Sequence, residues 1–250
     1  MATVVATDVS DRAVTLACCR QEARIPIDHP NKTHLGTVIS VNLGEPRQVE
    51  WAGRSVRTAI WKTPTEARVP IEHDNLVGDA QADLRVHGGP DKAVYAYASE
   101  DYRWWEGHLG APLSAGTFGE NLTTEGVELA NAVIGEVWGI GTTKLQVAQT
   151  RQPCFKLGIR MGDAGFVQEF DQARRYGVYL RIGEVGEVGV GDEISLLSRP
   201  THGMTAAEFA DTLDSHDLVA IRRLVEIDEV PQGTKLWARR QIHRLGGTEP

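Results

Sequence analysis

The residues that could do chemistry fall in three short segments of a 250-residue chain. The first is Gln149-Thr-Arg-Gln-Pro-Cys-Phe-Lys-Leu-Gly158, with Cys154 between Arg151 and Lys156. Positive charge on both sides favours the thiolate, the form that attacks electrophiles and ligates soft metals. A buried structural cysteine is the plain alternative. The second is His87-Gly-Gly-Pro-Asp-Lys92. Gly88 and Gly89 let the backbone approach a ligand and present amide hydrogens to an anion, with Lys92 adding charge and His87 a donor. Its alternative is a simple turn around Asp91. The third is Thr117-Phe-Gly-Glu-Asn-Leu122. Asn121 both donates and accepts, so it could read a heterocyclic edge. Glu120 either pairs with a base or caps a turn, and Phe118 and Gly119 shape it.

These segments need elements to hold them. The spacing predicts strands at Thr37–Asn42, Val56–Trp61, Val69–Ile71 and Ala93–Ala98, with Pro64 and Pro70 as breaks. A helix is expected at Glu100–His108, with acids in its first turn and glycines at its end. Val133–Trp138 and Lys144–Gln149 read as a hairpin around Gly139 and Gly141. Gly165–Arg174 reads as an amphipathic helix, since Phe166 and Phe170 lie four apart. Val178–Ile182 and Glu193–Leu197 flank a glycine-rich turn region. Many short strands with glycine turns favour a β-barrel over a βαβ sheet. After Pro200 the pattern turns helical. Thr205-Ala-Ala-Glu208 is a capping box, and further helices are expected at about 217–227 and 234–245. Residues 1–35 form a loosely patterned leader.

Composition narrows the function classes. Hydrophobic residues are 41% and charged residues 24%, which excludes a largely disordered chain. Lys and Arg total 26 against 34 Asp and Glu, so the formal net charge is −8. A bulk attraction to nucleic acid or to an anionic membrane is not expected. Residues 201–250 hold six Lys and Arg against eight Asp and Glu, which argues against a DNA-binding helix-turn-helix there. No apolar run reaches the ~18 residues of a spanning helix. Cys18, Cys19 and Cys154 cannot make a disulfide framework, so a reducing cytoplasm is expected. Walker, Gly-x-Gly-x-x-Gly, Gly-x-Ser-x-Gly and His-Glu-x-x-His motifs are missing, and the histidines are too scattered to indicate zinc.

Taken together and in order, Leu76-Val-Gly-Asp79, Asp83, His87-Gly-Gly-Pro-Asp-Lys-Ala-Val-Tyr-Ala-Tyr97, Phe118-Gly-Glu-Asn-Leu122, Ile134-Gly135 and Gln152-Pro-Cys-Phe-Lys156 resemble the MOSC domain, named for the C-terminal domain of molybdenum cofactor sulfurase. The likeness is to its YiiM-like branch, and it covers about 36–245. It implies a mainly β fold with short helices, a MOSC β-barrel over 36–199 and an all-α three-helix domain over 200–250. The leader 1–35 lies outside it.

The resemblance also implies a molybdenum cofactor (molybdopterin) and a protein thiolate on the metal, at Cys154. The implied reaction is reduction of an N-hydroxylated compound, a hydroxylaminopurine, hydroxylamine or amidoxime. His87, Asn121 and Gln149 are then expected as polar pocket contacts, and Lys62, Lys92, Arg151 and Lys156 as anion contacts for the cofactor phosphate. Gly88, Gly89, Asp91, Phe118, Gly119 and Glu120 complete the expected cofactor-binding set. With no flavin or haem motif in the chain, electrons would come from a separate reductase. The helical appendage is expected to serve as its docking surface, as a homodimer contact, or as a lid. Two other readings stand beside this one: a sulfur carrier using a Cys154 persulfide, and a thiol enzyme of unrelated chemistry on the same scaffold.

Overall fold

A computed structural model describes residues 33–81 and 88–248. Among them, seven strands close a barrel: β1 (Thr33–Leu43), β7 (Val94–Ala98), β8 (Leu122–Glu125), β9 (Val137–Ile140), β10 (Thr143–Thr150), β11 (Val178–Glu184) and β13 (Glu193–Ser198). The order around the ring is β13-β9-β10-β11-β7-β8-β1, and β1 pairs back onto β13. Every pairing is antiparallel except β7 with β8, where Ala96 faces Leu122 and Ala98 faces Thr124. That parallel pair requires a crossover. It is made by helix α1 (Ser99–Leu109) and the loop carrying Phe118 to Asn121.

Smaller pieces decorate the ring. β2 (Arg47–Trp51) and β3 (Arg54–Thr58) form a separate hairpin, β4 (Thr63–Thr65) pairs with the end of β1, and β5 (Val69–Glu72) lies between β6 (Asn75–Leu76) and β12 (Gly186–Val188). The strand expected at Val56–Trp61 is therefore shorter and earlier. It ends at Thr58, and beyond it Ala59, Ile60 and Lys62 leave the hairpin to line a cleft. The hairpin expected to begin at Val133 begins at Val137. Val133 makes only an isolated bridge to Thr205, and Ile134 and Gly135 donate to Met204 and Val147 carbonyls.

Strand alternation divides the interior in two. Val94, Ala96 and Ala98 of β7 face the barrel core, while Tyr95 and Tyr97 face a second, aromatic cluster. A strand buried on both faces has no polar position, as the run Val-Tyr-Ala-Tyr-Ala shows. The aromatic cluster is closed by α1 and by α3 (Phe166–Ala173). Trp105 stacks on Phe170 at 5.6 Å between centroids and 2° between planes, and Trp105 Nε1 donates to Tyr97 Oη at 2.8 Å.

The helices α4 (Ala206–Asp214), α5 (Leu218–Glu226) and α6 (Gln232–Arg244) follow the barrel. The N-cap half of the expected capping box forms, with Thr205 Oγ1 accepting from Glu208 N at 3.1 Å, while the Glu208 carboxylate pairs with Arg223 instead of turning back to Thr205 N. Asp217 caps α5 in the same manner. Met204, Phe209, Ile221, Leu224 and Ile242 share one core cluster with the barrel residues Val38 and Leu145 and with Ile134 before β9. The helices thus bury their apolar faces against the barrel end.

Candidate active site

Cys154 lies beyond β10, after Pro153. Proline has no amide hydrogen and cannot extend a strand ladder. Cys154 then opens α2 (Phe155–Met161), a short helix the sequence reading missed, and its carbonyl accepts from Leu157 N at 2.8 Å. Lys156, Leu157, Gly158 and Ile159 of that helix are buried. The helix escapes sequence reading because glycine and a lone apolar turn give it little periodicity.

The Cys154 side chain, half-buried, lines a cleft with about 590 Å3 of empty space, its mouth included. Four more segments reach that cleft. Thr58, Ala59, Ile60 and Lys62 come from the chain leaving β3. Asp79, Ala80 and Gln81 come from the stretch after β6. Gly119 and Asn121 come from the crossover loop, and Lys92, Tyr95, Arg151, Lys156 and Tyr179 complete the wall. Gly116 and Gly119 let the crossover loop press against the chain at Ile60 and Lys62. Both have φ near +80°, and a Cβ on Gly116 would stand 2.6 Å from the Lys62 carbonyl oxygen.

Of the sequence-predicted residues, Cys154, Lys62, Lys92, Gly119, Asn121, Arg151 and Lys156 come together here. Gly88, Gly89, Asp91 and Gln149 line a neighbouring cleft against Pro231, Gly233 and Thr234, and Lys92 borders both. Asp91 is paired with the Arg181 guanidinium, which also donates to Gln146 Oε1 and the Glu229 carbonyl. Asp91 therefore ties the Gly-Gly turn to β11 and to the chain before α6. Phe118 is fully buried in the aromatic cluster. Glu120 is fully buried behind the cleft wall, where its Oε1 accepts from Tyr102 Oη (2.6 Å), Gly116 N (2.7 Å) and Thr123 Oγ1 (2.8 Å). It braces the crossover loop. His87, Cys18, Cys19 and the 1–32 part of the leader lie outside the described residues.

Burial sets the electrostatics. Arg151 is 5% exposed, and among the described residues its Nη1 has no hydrogen-bond partner. Its guanidinium lies 5.3 Å from the Tyr95 ring centroid. Burial works against its charge, but Tyr95, Tyr179 and Cys154 more than offset this and hold its pKa above the usual value. Burial lowers the Lys92 pKa, with Asp91 and Cys154 opposing. Burial also lowers the Lys62 pKa, against the pull of Asp79. Tyr179 is pushed up by burial, so it keeps its proton.

Sequence reasoning missed Thr58, Ala59, Ile60, Ala80 and Gln81 on the wall, and with them its ionisable residues Asp79, Tyr95 and Tyr179. Both tyrosines read as core positions in apolar strands. Asp79 stood in a recognised motif but carried no spacing that marks a partner.

The arrangement can hold an anion against Arg151 and offer one soft sulfur beside it. Among the described residues no group of three His, Cys, Asp or Glu could hold a metal ion, so a metal at Cys154 would need its other ligands from a bound molecule. A buried guanidinium with Nη1 unpartnered among the described residues, on one cleft wall with a thiol, fits an anionic, metal-carrying cofactor in chemistry.

Known proteins share this sequence and shape. A model of the MOSC domain matches residues 83–195. The uncharacterized protein YflK of Bacillus subtilis (strain 168) is 42% identical over 192 residues, 76% of this chain and 86% of that protein. Protein YiiM of Escherichia coli (strain K12) is 31% identical over 145 residues, 57% of this chain and 65% of that protein. A protein named reductase from Gibberella moniliformis is 27% identical over 200 residues, which span 35% of its length. The crystal structure of YiiM from Geobacillus stearothermophilus superposes with a TM-score of 0.70 at 26% identity, covering 82% of this chain and 98% of that one.

Proposed function

The chain belongs to the MOSC-domain family as a YiiM-like member, and on that premise we propose that it binds a molybdenum cofactor through Cys154 and reduces N-hydroxylated compounds. The observation that carries this reading is the buried Arg151 guanidinium, with its Nη1 unpartnered among the described residues, on the same cleft wall as the Cys154 thiol. The distant relative named reductase supports redox chemistry.

In this reading Arg151, Lys92 and Lys156 hold the cofactor phosphate, and the Cys154 thiolate is the protein's ligand to molybdenum. The bound group would supply the two-electron couple. The net reaction is R–NHOH + 2 e− + 2 H+ → R–NH2 + H2O, so the nitrogen is reduced and the N–O oxygen leaves as water. The cleft opens to solvent, which delivers the protons and accepts the product water. Tyr95 and Tyr179 give an aromatic wall suited to a planar substrate. Asn121 holds the loop at the base of the site, where its amide bonds Tyr95 N and Asp79. Gly88, Gly89 and Gln149 belong to the adjoining cleft, where a substrate tail would extend. A separate reductase supplies the electrons.

Anaerobic turnover of a hydroxylaminopurine or benzamidoxime with reduced viologen tests this. Cofactor-loaded protein is expected to form one aminopurine, or one benzamidine, per two electrons, and Cys154→Ser to form none. Equal rates in the two proteins would overturn the reading. A persulfide on Cys154 without amine formation would select the sulfur-carrier role instead.

A further inference from the structure

The cleft wall holds a charge pair between elements far apart in sequence. The side chains of Lys62 and Asp79 are 8% and 2% exposed, and Lys62 Nζ lies 2.5 Å from both carboxylate oxygens. Asp79 Oδ1 also accepts from Gly44 N at 2.8 Å, and Oδ2 from Asn121 Nδ2 at 2.9 Å. Asn121 is fixed in turn, because its Oδ1 accepts from Tyr95 N at 3.1 Å.

An ammonium and a carboxylate in contact cancel one another's field at distances large compared with their separation. Lys62 thus contributes little net charge to the cleft. Arg151 is placed differently. It sits among Tyr95, Tyr179 and Cys154 with no carboxylate bonded to it among the described residues, and its Nη1 is unpartnered. The cleft therefore has a compensated end at Lys62, Asp79 and Asn121 and a cationic end at Arg151.

We propose that Asp79 is a positioning residue that sets this charge pattern: by cancelling Lys62 it keeps the Asn121 end neutral and directs the anionic part of a ligand to the Arg151 end. The neutral end then takes an uncharged polar group, such as the hydrogen-bonding edge of a heterocycle. This deepens the molybdenum reading, since it gives the reason that the cofactor phosphate goes to the Arg151 end although Lys62 lines the same cleft. Its test needs neither cofactor nor turnover, so the two fail separately.

The test is alkylation of Cys154 in the full-length protein made without cofactor, using anionic iodoacetate and neutral iodoacetamide at one pH and low salt. Modification is read on the Cys154 peptide by mass spectrometry. Both reagents attack the thiolate, so the ratio of their rates cancels any change in thiolate fraction and reports the charge of the cleft. Asp79→Asn is expected to raise the iodoacetate to iodoacetamide ratio about two- to fivefold, as one uncompensated charge in a cleft would. Lys62→Met is expected to lower it by a similar factor, and the double variant to return it to wild type. A loop-bracing role alone would move both single variants the same way or neither. Should Asp79→Asn not fold, Lys62→Met decides alone: a fall supports the proposal, and an unchanged or higher ratio overturns it.

Discussion

Two buried side chains carry the sharpest expectations at the residue scale. Arg151 gives the cleft its cationic end, and removing it costs the ligand its charge-assisted hydrogen bonds. Arg151→Met is expected to reduce pterin retained through gel filtration about tenfold or more, since such bonds contribute ~1.5–3 kcal/mol. Its far-ultraviolet circular dichroism should match wild type. Glu120 sets a pH dependence. Burial pushes its carboxyl above the usual range even though Tyr102, Gly116 and Thr123 all donate to one oxygen. Its other oxygen has no partner among the described residues. A raised carboxyl stabilises the fold most below the unfolded value of ~4.3 and loses that contribution as pH rises through the folded value. Glu120→Gln stays neutral throughout, so its Tm relative to wild type should climb from pH 4 upward. A difference flat across that range would show that Glu120 ionises in the folded protein as readily as in the unfolded chain. Sequence made Cys154 and its Arg151 and Lys156 flanks legible, because all three lie within six residues. It did not reveal that Lys62 meets Asp79, or that Glu120 braces a loop from behind the wall. Those pairings join segments separated by 17 and 18 residues, and only the closed barrel brings them together.

Local pattern and tertiary contact contributed unequally at the element scale. The strands at Val69, Val94 and Val178, the helix α1 and the Thr205 N-cap were readable because alternation, acid placement and N-cap chemistry are local. The start of β9 was not. Val133 to Glu136 look β-prone, yet Ile134 N bonds the Met204 carbonyl, Glu136 N turns back to Val133, and Gly135 and Glu136 meet β10 at Val147 alone rather than along a ladder. The crossover loop depends on its two left-handed glycines, Gly116 and Gly119. Gly119 has φ +81°, and a Cβ there would lie 3.0 Å from Ile60 Cγ1. Gly119→Ala is expected to destabilise the protein by about 1–2 kcal/mol through left-handed backbone strain. The corresponding fall in Tm is about 2–8 °C for a chain of this size. It should also slow alkylation of Cys154 by bulky maleimides more than by iodoacetamide, because Gly119 and Ile60 line the same cleft.

For the whole molecule, the closed seven-strand ring and the helices after Pro200 share a continuous apolar cluster. The backbone bonds from Ile134 to Met204 and from Ala206 to Ala132, with Arg181 reaching the Glu229 carbonyl, cross the same junction. A chain ending at Arg199 should therefore lose cooperative thermal unfolding, whereas an independent barrel would keep it. The formal charge of −8 sharpens the contrast with the cationic end of the cleft, which suits a small anionic ligand on a chain that repels large anions. That ligand is the central claim. Its most direct test is the molybdenum and pterin content of the full chain purified from a molybdopterin-producing host, measured beside Cys154→Ala. The proposed function predicts about one molybdenum and one pterin per wild-type chain, with molybdenum lost from the variant. Wild-type protein that reduces N-hydroxylated substrate without molybdenum, or equal molybdenum in both proteins, would contradict it.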